Sequence, residues 1–207
     1  MVSNIIVTSI DPGKNTGGIK AKTDIINYLK NDGYFSYEIN PYVSKVKKLI
    51  MAKYTVPRDI KKLAPEKTII QYPMASIHIL KSMITCIRKN RNSKIALLIH
   101  DIQGLQATEK TIIENELELF DLADEIIVHN NHMIKWLKEN GCNKPLINLE
   151  IFDYNNPQPI NNNLEYKKTV CFAGNLFKSE FLKKLNLTHK LYVFGPNMFP
   201  EHPSCVE

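Results

Sequence analysis

The sequence predicts an alternating α/β protein built on a parallel sheet, with one complete sheet domain and the start of a second. Three observations carry this expectation. Short apolar, β-rich runs alternate with segments whose apolar residues recur at helical spacing. The run KIALLIH at 94–100 is apolar on both faces, as a central parallel strand requires. An Asn- and Pro-rich stretch, NNPQPINNN at 155–163, interrupts the rhythm, which then resumes briefly. Strand–helix–strand alternation implies right-handed crossovers and helices on both faces, a Rossmann-like arrangement.

The elements follow in order. Ile5, Ile6 and Val7 form a short buried strand, and DPGKNTGG at 11–18 reads as a loop. Residues 21–31 carry Ile25, Ile26 and Leu29 at helical spacing, closed by Gly33. A second strand is expected over 34–39 and an amphipathic helix over 43–52, with Pro57 and Pro65 punctuating the connection that follows. A strand at 68–72, stopped by Pro73, leads to a helix over 76–90 with Ile77, Leu80, Ile84 and Ile87 on one face. After strand 94–100 come a helix at 109–122, a strand at 125–129, a helix at 131–140 capped by Gly141, and a strand at 146–152. Beyond the break, a strand at 169–173, a helix at 178–185 and a strand at 190–194 are expected, and the final MFPEHPSCVE shows no element. The expected domains are 1–154, a linker at 155–166, and 167–207 as an incomplete second Rossmann-like domain. Two strands and a helix cannot bury an independent core, so that piece must lean on other structure.

Composition narrows the class. A chain of 207 residues can bury a core without disulfides or metals. No run of about eighteen apolar residues exists to span a bilayer, and the N-terminus lacks a basic leader before an apolar run. Cys86, Cys142, Cys171 and Cys205 are scattered without a CxxC pair, which argues against a structural zinc site and for reduced thiols in or near the core. The net charge of +6 suits nucleic acid, an anionic membrane surface or a phosphorylated ligand. Its densest stretch, 45–62, also reads as a solvated helix face.

In open parallel sheets, ligands sit outside the carboxyl ends of the strands. Five segments occupy that edge: 11–22, 72–76, 100–105, 129–131 and 174–178. In the first, Gly17 and Gly18 with nearby lysines precede a helix, which suits phosphate, although the spacing is neither Walker A nor GxGxxG. A flexible solvated loop explains the same residues. His100 and Asp101 end the central strand. They could act as an acid–base pair or orient a sugar hydroxyl, or simply cap the sheet and the next turn. His129 and His132 flank a strand-to-helix corner without a carboxylate or cysteine cluster, so a capped helix start is favoured over a metal. Trp136 shares a helix face with Met133 and Leu137 and reads as core. Gly174 and Asn175 form a turn between strand and helix, with Lys178 at the helix start, an arrangement that suits a diphosphate. Gly195-Pro196-Asn197 repeats the pattern.

Four segments together resemble a known family. They are IIQYPM at 69–74, LLIHDIQGL at 97–105, LADEIIVHNNHMIKWLKENG at 122–141 and CFAGNLFKSEFL at 171–182. The chain is similar over roughly 4–197 to bacterial sugar transferases of the GT-B fold, the β-1,6-galactofuranosyltransferases. Those are in turn similar to the streptococcal glucosyltransferase that extends O-linked sugars on serine-rich adhesins. The resemblance implies two Rossmann-like domains facing across a cleft, acceptor on the N-terminal side and nucleotide sugar on the C-terminal side. It implies that Asn175 and Lys178 lie near the donor diphosphate, that the loop at Gly17 and Gly18 closes over the nucleotide, and that His100 and Asp101 lie at the cleft floor. Lysine at position 178, where the glucosyltransferase carries arginine, keeps the charge and loses the bidentate fork. No metal and no cofactor are implied beyond a UDP-sugar donor substrate, because basic groups and helix dipoles neutralise the leaving diphosphate. Members of the family continue well past the FGPN segment, so the resemblance also implies a truncated C-terminal domain.

Three functions are weighed on this basis. The first is a hexosyltransferase moving galactofuranose or glucose from a UDP-sugar to a glycan, glycoprotein or lipid-linked acceptor in cell-surface polysaccharide synthesis. The second is an inactive descendant serving as a binding or assembly subunit. The third, nucleic-acid binding, ranks last, for want of a motif or a basic stripe interleaved with aromatics. A cytoplasmic location at the inner face of the membrane, a peripheral membrane contact and a homo-oligomer are all compatible with the sequence.

Overall fold

The structure, a computed structural model, describes residues 4–9, 17–74, 76–89, 93–105, 109–150, 168–174, 176, 179–195 and 205–206. It divides into two compact units, Met1–Asn155 and Asn156–Glu207.

The first unit is a six-stranded, all-parallel sheet in the order β2-β1-β3-β4-β5-β6. Its strands are β1 (Asn4–Ser9), β2 (Phe35–Ile39), β3 (Lys67–Tyr72), β4 (Lys94–Ile99), β5 (Glu125–Val128) and β6 (Leu146–Asn148). The chain leaves β1 for one neighbour, returns past it to the other, and then winds steadily outward. The strand order therefore reverses once, between β1 and β3, which is where an open α/β sheet leaves a crevice.

That single reversal sorts the helices, because every right-handed crossover in one direction falls on one face. Helix α1 (Gly17–Asn31) covers one face, burying Ile25 and Ile26 against Ile6 and Leu98. Helices α3 (Val56–Leu63), α4 (Ile77–Ile87), α5 (Lys110–Asp121) and α6 (Asn131–Glu139) cover the other. Their core includes Ile5, Val7, Ile70, Leu97, Ile99, Ile126 and Val128 from the strands. The pleat explains the division, since successive side chains point to opposite faces. Helix α4 buries Ile79, Leu80, Met83, Ile84 and Ile87, an apolar stripe at helical spacing.

Several boundaries differ from expectation. Helix α1 begins at Gly17, so Gly17 and Gly18 belong to its first turn and not to a loop. The expected connection after 43–52 is helical instead. Helix α2 (Lys45–Ile50) runs through a π-helical turn, Met51–Thr55, into α3. Pro57 sits in the first turn of α3, directly after the π-helical turn; its missing N–H removes one bond from the continuous ladder, and the Ala52 carbonyl in the preceding turn accepts from Ser82 Oγ. Strand β6 ends at Asn148, and 151–152 lie outside the described residues. Cys86 and Cys142 are half-buried against the core, as expected, whereas Cys171 is exposed.

The second unit holds a parallel sheet of three strands, not two, in the order β7 (Thr169–Ala173), β8 (Lys190–Phe194) and β9 (Cys205–Val206). The expected helix at 178–185 is a 3-10 segment, Glu180–Lys184. A small cluster of Leu176, Leu182, Leu191 and Val193 forms its core. The expected linker at 155–166 lies outside the described residues.

Candidate functional site

The site is built by strand alternation at the carboxyl edge. On the α1 face, Ile6, Ile69, Leu98 and Ile127 form an apolar row across β1, β3, β4 and β5. Two residues further along each strand or its end, the same face carries Thr8, Gln71, His100 and His129. A hydrophobic row thus gives way to a polar one where the strands open toward ligand.

The polar row is hydrogen-bonded along its length. The Gln71 amide donates to the Lys22 carbonyl (3.2 Å) and to Thr8 Oγ1 (3.4 Å). Its Oε1 therefore faces His100 Nε2 at 2.7 Å and accepts the ring proton. This fixes the neutral His100 tautomer with a bare Nδ1, which meets His129 Nε2 at 3.4 Å. The two rings lie 5.3 Å apart, tilted by 36°. Burial, then His129, then the Lys22 ammonium push the His100 pKa down to about 3. Burial also lowers His129, while a hydrogen bond to the Glu150 backbone favours its charged form. Thr8 and Gln71 are fully buried, His100 is largely so, and Asp101 stands exposed beside it.

Helix α1 closes the crevice at the strand-order reversal. Lys22 reaches across and donates to the Pro73 carbonyl (2.7 Å), in the turn after the cis Tyr72–Pro73 bond. Lys20 is ion-paired with the buried Asp24 four residues on. A Cβ added at Gly18 meets nothing within 4 Å, so packing does not impose glycine there.

A second carboxylate holds the loop after β4 from beneath. Glu116 of α5 is buried, and its Oε1 accepts from the Tyr72 hydroxyl (2.7 Å) and the Gln103 N–H (2.9 Å). Its Oε2 accepts from the Gly104 N–H (2.7 Å). Burial and this carboxylate raise the Tyr72 pKa far above the usual phenol range, so the hydroxyl remains a donor. Gly104 has no room for a side chain: a Cβ there would lie 2.9 Å from Trp136, which packs against the core as expected.

The structure thus brings His100 together with Gln71 and His129. It places Gly17 and Gly18 at the start of α1 on the same edge of the sheet. His132 is exposed, and among the described residues no group of three potential metal ligands occurs. Asn175 and Lys178 lie outside the described residues. Gly174 is described, and a Cβ on Gly195 would fall 1.8 Å from its carbonyl oxygen. The backbone after β8 therefore approaches that after β7 so closely that only glycine fits at 195.

Gln71, Thr8 and Glu116 were not singled out from sequence, and Lys22 entered only as one of the lysines near Gly17 and Gly18. Each left a signal. Gln71 and Thr8 are polar residues within apolar parallel strands, and Glu116 shares a helix face with Leu119, Phe120 and Ala123.

In an open parallel sheet whose strand order reverses once, ligands sit in the crevice outside the carboxyl ends of the strands, and here that edge is polar and hydrogen-bonded. Residues 3–151 match the family described as glucosyltransferase 3-like, N-terminal domain, and the chain belongs to that family. No curated protein matches the chain. Family membership points to glycosyltransferase activity, with a sugar donor and an acceptor as substrates. Among the described residues no helix is long and apolar enough to cross a membrane.

Proposed function

We propose that this chain serves a GT-B hexosyltransferase that moves galactofuranose or glucose from a UDP-sugar to a glycan, glycoprotein or lipid-linked acceptor in cell-surface polysaccharide synthesis. The first unit is the acceptor side, and the second begins the nucleotide-sugar side. The reaction takes place in the cytoplasm at the inner face of the membrane. The observation that carries this reading is the row Thr8–Gln71–His100–His129 at the carboxyl edge, in a chain of the glucosyltransferase 3-like family.

In the transfer, the acceptor oxygen forms a bond to the anomeric carbon as the bond from that carbon to the diphosphate oxygen breaks. The acceptor hydroxyl proton passes to a base, and UDP leaves. A group with a pKa of about 3 is a weak base near neutrality, and the His100 Nε2 proton is already given to Gln71. His100 therefore orients the site as a neutral ring braced by His129, while the exposed Asp101 carboxylate meets the acceptor hydroxyl. Gly17 and Gly18 present the α1 N-terminus to the donor phosphates. Gly174, Asn175 and Lys178 are assigned to binding the donor diphosphate, as their Gly-Asn turn and lysine suit an anion.

The same internal bonding of His100 favours a second reading, a binding subunit that holds the acceptor without chemistry. A transfer assay with UDP-glucose and UDP-galactofuranose on cell-surface glycan acceptors separates the two. Under the enzymatic reading, Asp101→Asn slows transfer by about 100-fold or more, the scale of general acid–base catalysis, with acceptor binding retained. Transfer unchanged by this substitution contradicts the assigned role. Acceptor binding without transfer by the wild-type chain leaves the binding subunit.

A further inference from the structure

The helix after β2 turns its apolar stripe outward. Helix α2 buries none of its residues, and Val46 (69%), Leu49 (68%), Ile50 (49%) and Tyr54 (60%) are all exposed. Spaced at 46, 49, 50 and 54, they share one side of a continuous helix, and Tyr42 is exposed just before it. Its opposite side is anchored, with Met51 and Ala52 packed against the core and Ser82 Oγ donating to the Ala52 carbonyl. The stripe is flanked by Lys45 and Lys47 and crossed by Lys53, whose ammonium lies 5.3 Å from the Tyr54 ring. No acidic residue occurs between Glu38 and Asp59. Beside the stripe, Lys45, Lys48, Leu49, Ala52, Ser76 and His78 line a mostly apolar hollow of about 230 Å³.

From these features we infer that α2 is a docking surface for an anionic lipid bilayer. An outward apolar stripe bordered by lysines and bearing tyrosines matches the chemistry of the interface, where rings and aliphatic chains enter the acyl boundary and ammonium groups meet phosphates. Charge decides between occupants. A symmetric contact with a second copy would set the same lysine-rich face against itself, whereas an anionic surface neutralises it. The surface does not depend on the transfer chemistry. Its placement serves a membrane-borne acceptor, because α2 begins just after the carboxyl end of β2, on the sheet edge that carries His100.

The test is co-sedimentation of the full chain with vesicles of phosphatidylcholine alone and of phosphatidylcholine mixed with phosphatidylglycerol. The chain should bind the mixed vesicles, and added salt should weaken binding. Leu49→Ser combined with Ile50→Ser, and separately Lys45→Glu combined with Lys47→Glu, should each reduce partitioning at least tenfold with unchanged circular dichroism. Tyr54→Trp should give a blue-shifted emission on mixed vesicles only. Variants that partition like the wild type, or no partitioning to mixed vesicles, overturn the inference. So does sedimentation velocity showing a dimer abolished by these substitutions without any vesicle binding, which would make a second copy the occupant. Transfer to a water-soluble acceptor is a separate readout, so failure of the membrane surface and failure of the transferase reading remain distinct.

Discussion

Protonating His100 means charging a ring that is buried, hydrogen-bonded as a neutral donor to Gln71, and close to both His129 and the Lys22 ammonium. Its pKa falls from 6.5 to about 3, so the folded state binds this proton less readily than the unfolded chain. The resulting stability is fully present above pH 6.5 and is lost as pH drops toward 3. Thermal melts across that window should show wild-type stability declining more steeply with acid than that of His100→Asn. Parallel profiles would contradict the assigned environment. Glu116 makes a different demand, because its carboxylate accepts three hydrogen bonds out of water. Glu116→Gln turns an amide donor toward one of those donors and should cost about 1–3 kcal/mol in denaturant unfolding. Loss of less than half a kcal/mol would show that the carboxylate is dispensable. His100 was legible in the sequence because it ends the most apolar strand. Its true partners were not, because Gln71 and His129 lie 29 residues away on either side and meet it only through strand pairing.

Among the elements, the loop after β4 is held from below by Glu116 and walled by Trp136. Gly104→Ala must displace one of them and should destabilise the chain by about 1–3 kcal/mol, as overpacked cores do. Gly18→Ala meets open space and should cost less than that in folding. Equal effects at the two positions, read from the same denaturant curves, would contradict this account. The strands were readable because parallel strands buried on both faces are continuous apolar runs, as in KIALLIH. The ends of α1 and the α2–α3 run were not. Gly17 and Gly18 carry loop chemistry into a helical first turn, and Pro57 is tolerated because it directly follows the π-helical turn, where the Ala52 carbonyl accepts from Ser82 Oγ. In the second unit, the pairing of Cys205–Val206 with β8 is set by tertiary contact in a segment without strand periodicity.

At the level of the whole molecule, the six-stranded sheet and both of its core clusters lie within the first unit. A chain ending at Asn155 should therefore fold cooperatively, with a melting temperature within a few degrees of the first-unit transition in the full chain. A fragment with helical signal but no cooperative melt would show that the second unit completes the first. The alternating pattern announced this architecture because each crossover is local in sequence. The function was less legible, because the polar row is assembled from four strands and only its two histidines stood out in the sequence.

The central claim is that the carboxyl edge around His100 and His129 meets the sugar substrates. Histidine-ring nitrogen resonances of the full chain, followed by NMR during titration with UDP-glucose, UDP-galactofuranose and an acceptor glycan, test it most directly. His100 and His129 should shift together on addition of the substrates, with His189 unmoved. Ring resonances of His100 and His129 that stay fixed at millimolar donor and acceptor would contradict it.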